Sequence, residues 1–496
     1  MRRVFRKILL TAAVAAVFPL FSGNLESTEL FYNALKAKTP ADSAALLIRA
    51  AKADPANSAA PLAVLLKLET DPASGLQLCS SYDKLWKENP ADLNIACTGI
   101  QLFRKHRIEQ GAILKNLKLV PDFGKSDGLT DEQKTVKLTL EIERLVLHLI
   151  CGDNKDGVVF ASKLGDGKHT VALSCFYNTM AYRCRVSGDD AGYRKMTELR
   201  NKVTEHWFSA HSGRGFRFMI NTMKFAAQYD NQYLLSAIFR KLEDTLTDPR
   251  QLNIARITFA EHTRDYAAAV PVVAKLLHAP PGAQNHILFY AALRAGKFGE
   301  ANKLLKNVPA KEQANAMLDI AFASCDPGLF RSVISSGKYR ENIAGELKLF
   351  AASACKDKKL YYEARSALKD RKVTAKLANS IGYIATELGV DMDEAGKLLK
   401  FAVGHEPYNA AYLDSLAFWS FRQQLYAGAQ DLIERAISVI TPGTGAATVL
   451  EHAGDIYRAQ GNFYQAEKCY KRALQFAAED PECDPARVEK KLLEYR

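Results

Sequence analysis

The sequence predicts an all-α chain, a right-handed superhelical solenoid of about ten antiparallel helix pairs. Three observations predict it. One spacing of small and aromatic residues occurs three times near the C-terminus. A period of 32 to 37 residues persists upstream of it. The chain of 496 residues is also too long for one compact core, because single domains stop growing near about 250–300 residues. No segment reads as a convincing strand. With 48% hydrophobic and 25% charged residues, the composition is that of a folded protein, far from the apolar-poor profile of disorder.

The first element, residues 1–23, reads as a secretory signal. Arg2, Arg3, Arg6 and Lys7 precede a charge-free run from Ile8 to Leu25, the layout in which positive charge holds the start in the cytoplasm while the apolar part enters the translocation machinery. A retained signal anchor and an apolar first helix of the solenoid are the competing readings, since the run is borderline for spanning a bilayer. No cysteine follows the run, which disfavours a lipid-modified N-terminus. Net charge is +12, and removing the four basic residues of the leader leaves +8. Those charges are scattered, as in KDKK at 356–359, and not gathered with aromatics as a nucleic-acid surface requires. Nine cysteines without a CxxC pair indicate neither a zinc ribbon nor a thioredoxin-type site. Most sit among apolar neighbours as buried small side chains, although an oxidising compartment would allow one or two pairs to be bridged.

Residues 27–370 read as degenerate helical repeats. Pro55 and Pro90 close helical stretches 35 residues apart, and Tyr233, Tyr266 and Phe298 stand 33 and 32 apart, the last two each followed three residues on by alanine. Loop-rich interruptions are expected at 121–131 and 152–168. From 375 onward the pattern sharpens into three units, 375–408, 410–443 and 447–480, followed by a C-terminal helix or tail at 481–496. In EHAGDIYRAQGNFYQAEKCYKRAL, Gly454, Tyr457, Gly461, Phe463, Ala466, Tyr470 and Ala473 set a spacing that Gly382 and Ala417 enter at steps of 35 and 37. Each unit carries apolar residues at helical spacing and a turn at Gly389, Gln424 or Gly461. Breaks at HEP, TPG and EDPE end each second helix, because proline cannot continue one. Gly382, Ala417 and Gly454 are placed where the first helix approaches the second most closely, opposite Ala395, Ala429 and Ala466.

This matched set of small, aromatic, alanine and proline positions resembles the tetratricopeptide repeat, departing from it at the opening aromatic of the first helix, where Ala378, Leu413 and Leu450 stand. The segments LDSL at 413–416 and LEHAGD at 450–455 are also similar to the ends of exported bacterial tetratricopeptide proteins of the cell envelope. That resemblance covers about a quarter of the chain and implies an adaptor or scaffold in envelope assembly or proteolysis. Chaperone-binding members resemble one another in a basic clamp for a C-terminal carboxylate. Asn379, Tyr383, Thr448 and His452 occupy those positions here, so the clamp is absent.

Little in the sequence suggests catalysis. DFG at 122–124 lacks every other kinase signature. GDNKDG at 152–157 lacks two carboxylates of a calcium loop. His206 and His211 are five apart and face different sides of a helix, and His148 in RLVLHLI reads as a core histidine. Neither a phosphate loop nor a GxSxG elbow occurs, and the Glu26-Ser27 pair lacks the continuation found in lytic transglycosylases. No catalytic residue, metal ligand or cofactor is expected.

Stacked repeats expose a concave surface made by their first helices, which commonly receives a peptide or partner helix. Counting from the small residue of each unit, the inward positions are Asn379, Tyr383, Thr386 and Glu387, then Asp414, Phe418, Phe421 and Arg422, then Glu451, Asp455, Arg458 and Ala459. Aromatic anchors flanked by mixed charges fit a protein contact. The expected function is a non-enzymatic exported scaffold in the periplasm or cell envelope that binds a protein partner through this face. Nucleic acid is not an expected partner, and peripheral or N-terminal membrane association is left open. The alternative is a cell-wall or polysaccharide enzyme, or an enzyme accessory, with a solenoid-shaped substrate groove.

Overall fold

A computed structural model describes residues 25–494 except 55–56, 122–129, 165–169, 212, 277–278, 309, 338–342, 444 and 481. Residues 1–23, read as a signal, and the DFG triplet lie outside the described residues. Among the described residues there are 27 α-helices and no strand. They divide into two compact units, 1–169 and 170–496.

Unit 1 holds α1 (Leu25–Lys36), α2 (Pro40–Ala53), α3 (Ala59–Lys67), α4 (Pro72–Glu88), α5 (Leu93–Lys105), α6 (Gln110–Leu117), α7 (Asp131–Ile150) and α8 (Asn154–Leu164). Its continuous core includes Leu47, Tyr82, Trp86 and Phe103. One expectation needs correction here. Residues 152–168 are not simply a loop, because α8 occupies most of them. Gly152, at φ 69°, does end α7, but the VVFASKL run that follows buries Phe160 and Ala161 together with Gly157. That apolar face outweighs the turn-forming GDNKDG.

Unit 2 opens with α9 (Thr170–Ser187), α10 (Asp190–His211), α11 (Phe216–Gln228), α12 (Gln232–Thr245), α13 (Pro249–His262), α14 (Tyr266–Ala274), α15 (Pro281–Arg294) and α16 (Phe298–Leu305). It continues with α17 (Ala310–Ser324), α18 (Pro327–Ser336), α19 (Ala344–Cys355), α20 (Lys358–Leu368), α21 (Ala375–Leu388), α22 (Met392–His405), α23 (Ala410–Arg422), α24 (Tyr426–Val439), α25 (Ala446–Ala459), α26 (Phe463–Phe476) and α27 (Pro485–Leu493). Consecutive helices pair as hairpins, and along much of the unit each first helix also touches the first helix of the next hairpin. The fold class is therefore all-α, a solenoid of antiparallel helix pairs.

Local chemistry sets the hairpins. Asp, Asn or Thr side chains accept from the free amides that open many of the helices, among them Thr374 before α21, Asn409 before α23 and Asn462 before α26. At the close approach within a hairpin, side chains are excluded. A Cβ on Gly382 would sit 2.7 Å from Leu399 Cγ, and one on Gly454 would sit 2.4 Å from the Tyr470 ring. The three hairpin turns at Gly389, Gln424 and Gly461 share left-handed backbone, with φ of 64°, 62° and 78°. Gln424 therefore bears a cost of about 1 kcal/mol that its two glycine counterparts avoid.

The end of unit 2 packs back on its beginning. Arg183 of α9 is buried and donates from Nε to Ile440 O at 3.0 Å and from Nη2 to Val439 O at 2.9 Å, meeting carbonyls that the end of α24 leaves without helical partners. Val186 joins the core of the last hairpins. Tyr182 meets Phe476 edge to face, and the Arg185 guanidinium lies 4.3 Å from the same ring. The two ends of unit 2 are consequently joined to each other, not left apart.

Candidate functional site

The first helices of four successive hairpins, α19, α21, α23 and α25, present their inner faces to a cavity that α17, α27 and the residues Glu479, Asp480 and Glu482 complete. It has two lobes, of about 600 Å³ and about 460 Å³, which share Phe322, Cys325, Phe350, Ser353, Tyr383 and Glu482. The larger adds Phe330, Phe418 and His452 to an aromatic wall. His452 stacks on Phe418 at 4.3 Å between centroids, and Tyr383 lies 6.0 Å from Phe418. The smaller is polar, with Asn379, Asp414, Ser415, Thr448 and Asp480 in its lining.

Charges in the cavity are mostly paired. Lys356 meets Glu387, which also accepts from Ser353 Oγ at 2.5 Å. His452 Nδ1 lies 2.9 Å from Asp414 Oδ1. Burial opposes the imidazolium, yet the facing Asp414 carboxylate, with Asp455 and Glu451 behind it, carries the His452 pKa above its ordinary value. Asp480 accepts from the Thr448 amide at 2.8 Å at the start of α25. Glu451, 2% exposed, accepts from Arg487 Nε at 2.6 Å and Nη2 at 2.8 Å and from Lys491 Nζ at 2.8 Å. Burial pushes its carboxyl up, but these donors outweigh burial and hold it at about 2.

Glu482 differs. The residue is exposed by surface area, yet it lines both lobes of the cavity, whose walls lie around it. This enclosure, reinforced by the charges of Asp480, Glu387 and Asp414 against the opposing His452, pushes its pKa up to about 7.

Of the residues read from the sequence as inward-facing, Asn379, Tyr383, Glu387, Asp414, Phe418, Glu451 and Asp455 line the cavity. The charged ends of Glu451 and Asp455 are held by the chain's own α27, through Arg487 and Lys491. Arg458 likewise pairs with Glu494 at 2.8 Å. Phe421 is half-buried against the core of the last hairpins and Tyr426, and Arg422 is exposed with its guanidinium 5.8 Å from the Phe418 ring. These two stand beside the lining.

Sequence reasoning missed Phe322, Phe350, Ser353 and Glu482. A signal for Phe350 existed, since Phe350, Tyr383 and Phe418 stand 33 and 35 residues apart. It was hidden because Leu349 fills the place corresponding to Gly382. In α19 the close approach moves back one turn to Gly345, where a Cβ would lie 2.6 Å from Leu368 Cγ.

Elsewhere, His148 is buried with Nδ1 3.2 Å from Asp153 Oδ2, and His211 stacks on Trp207. All nine cysteines are free thiols, four of them buried. Among the described residues no group of three or more His, Cys, Asp or Glu is arranged to hold a metal ion, and no helix is long and apolar enough to cross a membrane.

No protein-family model matches the sequence, and no curated protein does. The chain is distantly similar to solved structures. One is a chain of the APC/C hetero-tetramer Cut9–Hcn1, with TM-score 0.34 and 13% identity, covering 94% of this chain and 92% of that one. Another is yeast Tom70, with TM-score 0.31 and 12% identity, covering 94% of this chain and 95% of that one.

Proposed function

We propose that the chain is a non-enzymatic scaffold that docks a protein partner in the concave cavity of unit 2. One observation carries the reading: the inner faces of four successive hairpins converge on a two-lobed cavity with a continuous aromatic wall, Phe350, Tyr383, Phe418 and His452. Its lobes have the size range of ligand pockets, and aromatic anchors with polar surroundings are what protein contacts use. The leader-like residues 2–25 support export, with action in the periplasm or cell envelope, where the partner would belong to assembly or proteolysis.

The test is cross-linking and affinity capture in the native envelope with the wild-type chain and a Tyr383→Ala, Phe418→Ala variant of unchanged helical circular dichroism. A specific partner recovered by the first and lost from the second is the expected result. Equal recovery by both would place docking elsewhere.

A further inference from the structure

The cavity holds one carboxylate more than its own groups answer. Glu387 is answered by Lys356, Asp414 by His452, Glu451 and Asp455 by Arg487 and Lys491, Glu479 by Arg185, and Asp480 by the Thr448 amide. Among the described residues none donates a hydrogen bond to the Glu482 carboxylate or forms an ion pair with it, and the charge of His452, itself paired with Asp414, acts on it without a contact; Glu482 lines both lobes. A second observation lies in the smaller lobe. Thr448, 7% exposed, lines that lobe, and its buried hydroxyl has no partner. Asn379 Oδ1, in the same lining, is also buried and unmatched. Asn379 Oδ1 can only accept and the Thr448 hydroxyl can accept as well as donate, so beside an unanswered carboxylate they suit a group that only donates and carries positive charge, and lysine and arginine side chains are such groups. Tyr383, Phe322 and Phe350 supply the aromatic faces over which an organic cation is stabilised. A metal ion fits less well, because no cluster of the described residues has ligand geometry.

We propose that the smaller lobe takes the lysine or arginine side chain of an extended segment of a partner protein, with Glu482 as counter-ion and Tyr383, Phe322 and Phe350 as walls. The proposal rests on the reading of the cavity as a docking surface and gives that surface its chemistry. The occupant is a peptide and not a free amine, because two confluent lobes of about 460 Å³ and 600 Å³ exceed what one side chain fills. The basic group is then one anchor of a longer chain whose neighbouring residues lie along the aromatic lobe.

A random peptide library displayed on phage and selected against the full-length protein tests this. Enriched peptides are expected to share a basic residue at one position. Changing that residue to glutamine should lower affinity, read by fluorescence anisotropy, by about tenfold or more. Glu482→Gln, checked for unchanged helicity, should produce the same loss, and the two changes together should cost no more than either alone. Enriched peptides without a basic residue, or equal binding by Glu482→Gln, would overturn the cation pairing. The docking reading would survive that result provided Phe418→Ala still abolished binding. A selection that enriches nothing would overturn the docking reading itself.

Discussion

At the residue scale, the pattern was legible where packing forbids volume and illegible where chemistry depends on distant groups. Gly382 and Gly454 stood out because Leu399 and Tyr470 leave no room for a Cβ, and that demand recurs with each hairpin. Glu482 carried no such mark. In EDPE it reads as part of a helix break, and only the fold brings it near Glu387 and Asp414. Its titration yields a prediction. Glutamate in the unfolded chain titrates near the ordinary 4.5, whereas enclosure among like charges raises Glu482 to about 7 in the folded chain. Between those values the folded state binds a proton that the unfolded state has released, so stability falls as pH rises from about 4.5 to about 7. Above that window the full penalty remains. Glu482→Gln should therefore raise the melting temperature at about pH 8 and leave it nearly unchanged at about pH 4. A gain of equal size at both would show that ionisation is not the cause.

At the element scale, the three C-terminal hairpins announce themselves through caps, turns and alanine contacts, whereas α19 hides because Leu349 displaces the small-residue contact by one turn. The role of α27 was also not legible, although its sequence reads as helix or tail. Arg487 and Lys491 stand 36 residues after Glu451 and Asp455 respectively, so α27 docks where the first helix of a further hairpin would lie and pairs with their inward carboxylates. Replacing both cations by alanine leaves the buried Glu451 with only the weak Cys483 thiol as a donor, 3.9 Å away. Because the Arg487 side chain is 43% exposed, solvent screening limits the cost to about 1–3 kcal/mol. Hydrogen exchange should then quicken across 485–493 while α21 and α22 remain protected. The same contact predicts acid behaviour. Glu451 titrates near 2 when folded against an ordinary 4.5, so its stabilisation is complete above about 4.5 and is lost as pH falls toward 2. Docked α27 should persist at about pH 5 and loosen near pH 2, and a Glu451→Gln chain should lack that acid-dependent step.

At the scale of the whole molecule, the solenoid class followed from a repeated spacing that a single rounded core does not need, but the closure of unit 2 left no trace in the sequence. Arg183, in YRCRVS, looks like one charge on a mixed helix. Its partners are backbone carbonyls of Val439 and Ile440, and backbone acceptors carry no residue code. Burial lowers its pKa to about 10, which still leaves the guanidinium charged at neutral pH, where it complements the negative end of α24. Arg183→Leu keeps much of the apolar stem but removes the donors, leaving those two carbonyls unanswered in a dry contact at a cost of about 1–3 kcal/mol for each unsatisfied group. If this contact holds the end of unit 2 against its beginning, hydrogen exchange in the variant should rise together at the end of α9 and the end of α24, two segments more than 250 residues apart, while α13 to α16 keep wild-type protection. Faster exchange confined to α24 would mean that Tyr182, Val186 and Phe476 sustain the closure without Arg183. The coupled result would establish that a tertiary latch joins the two ends of unit 2, because a linear stack transmits disturbance only between neighbouring hairpins.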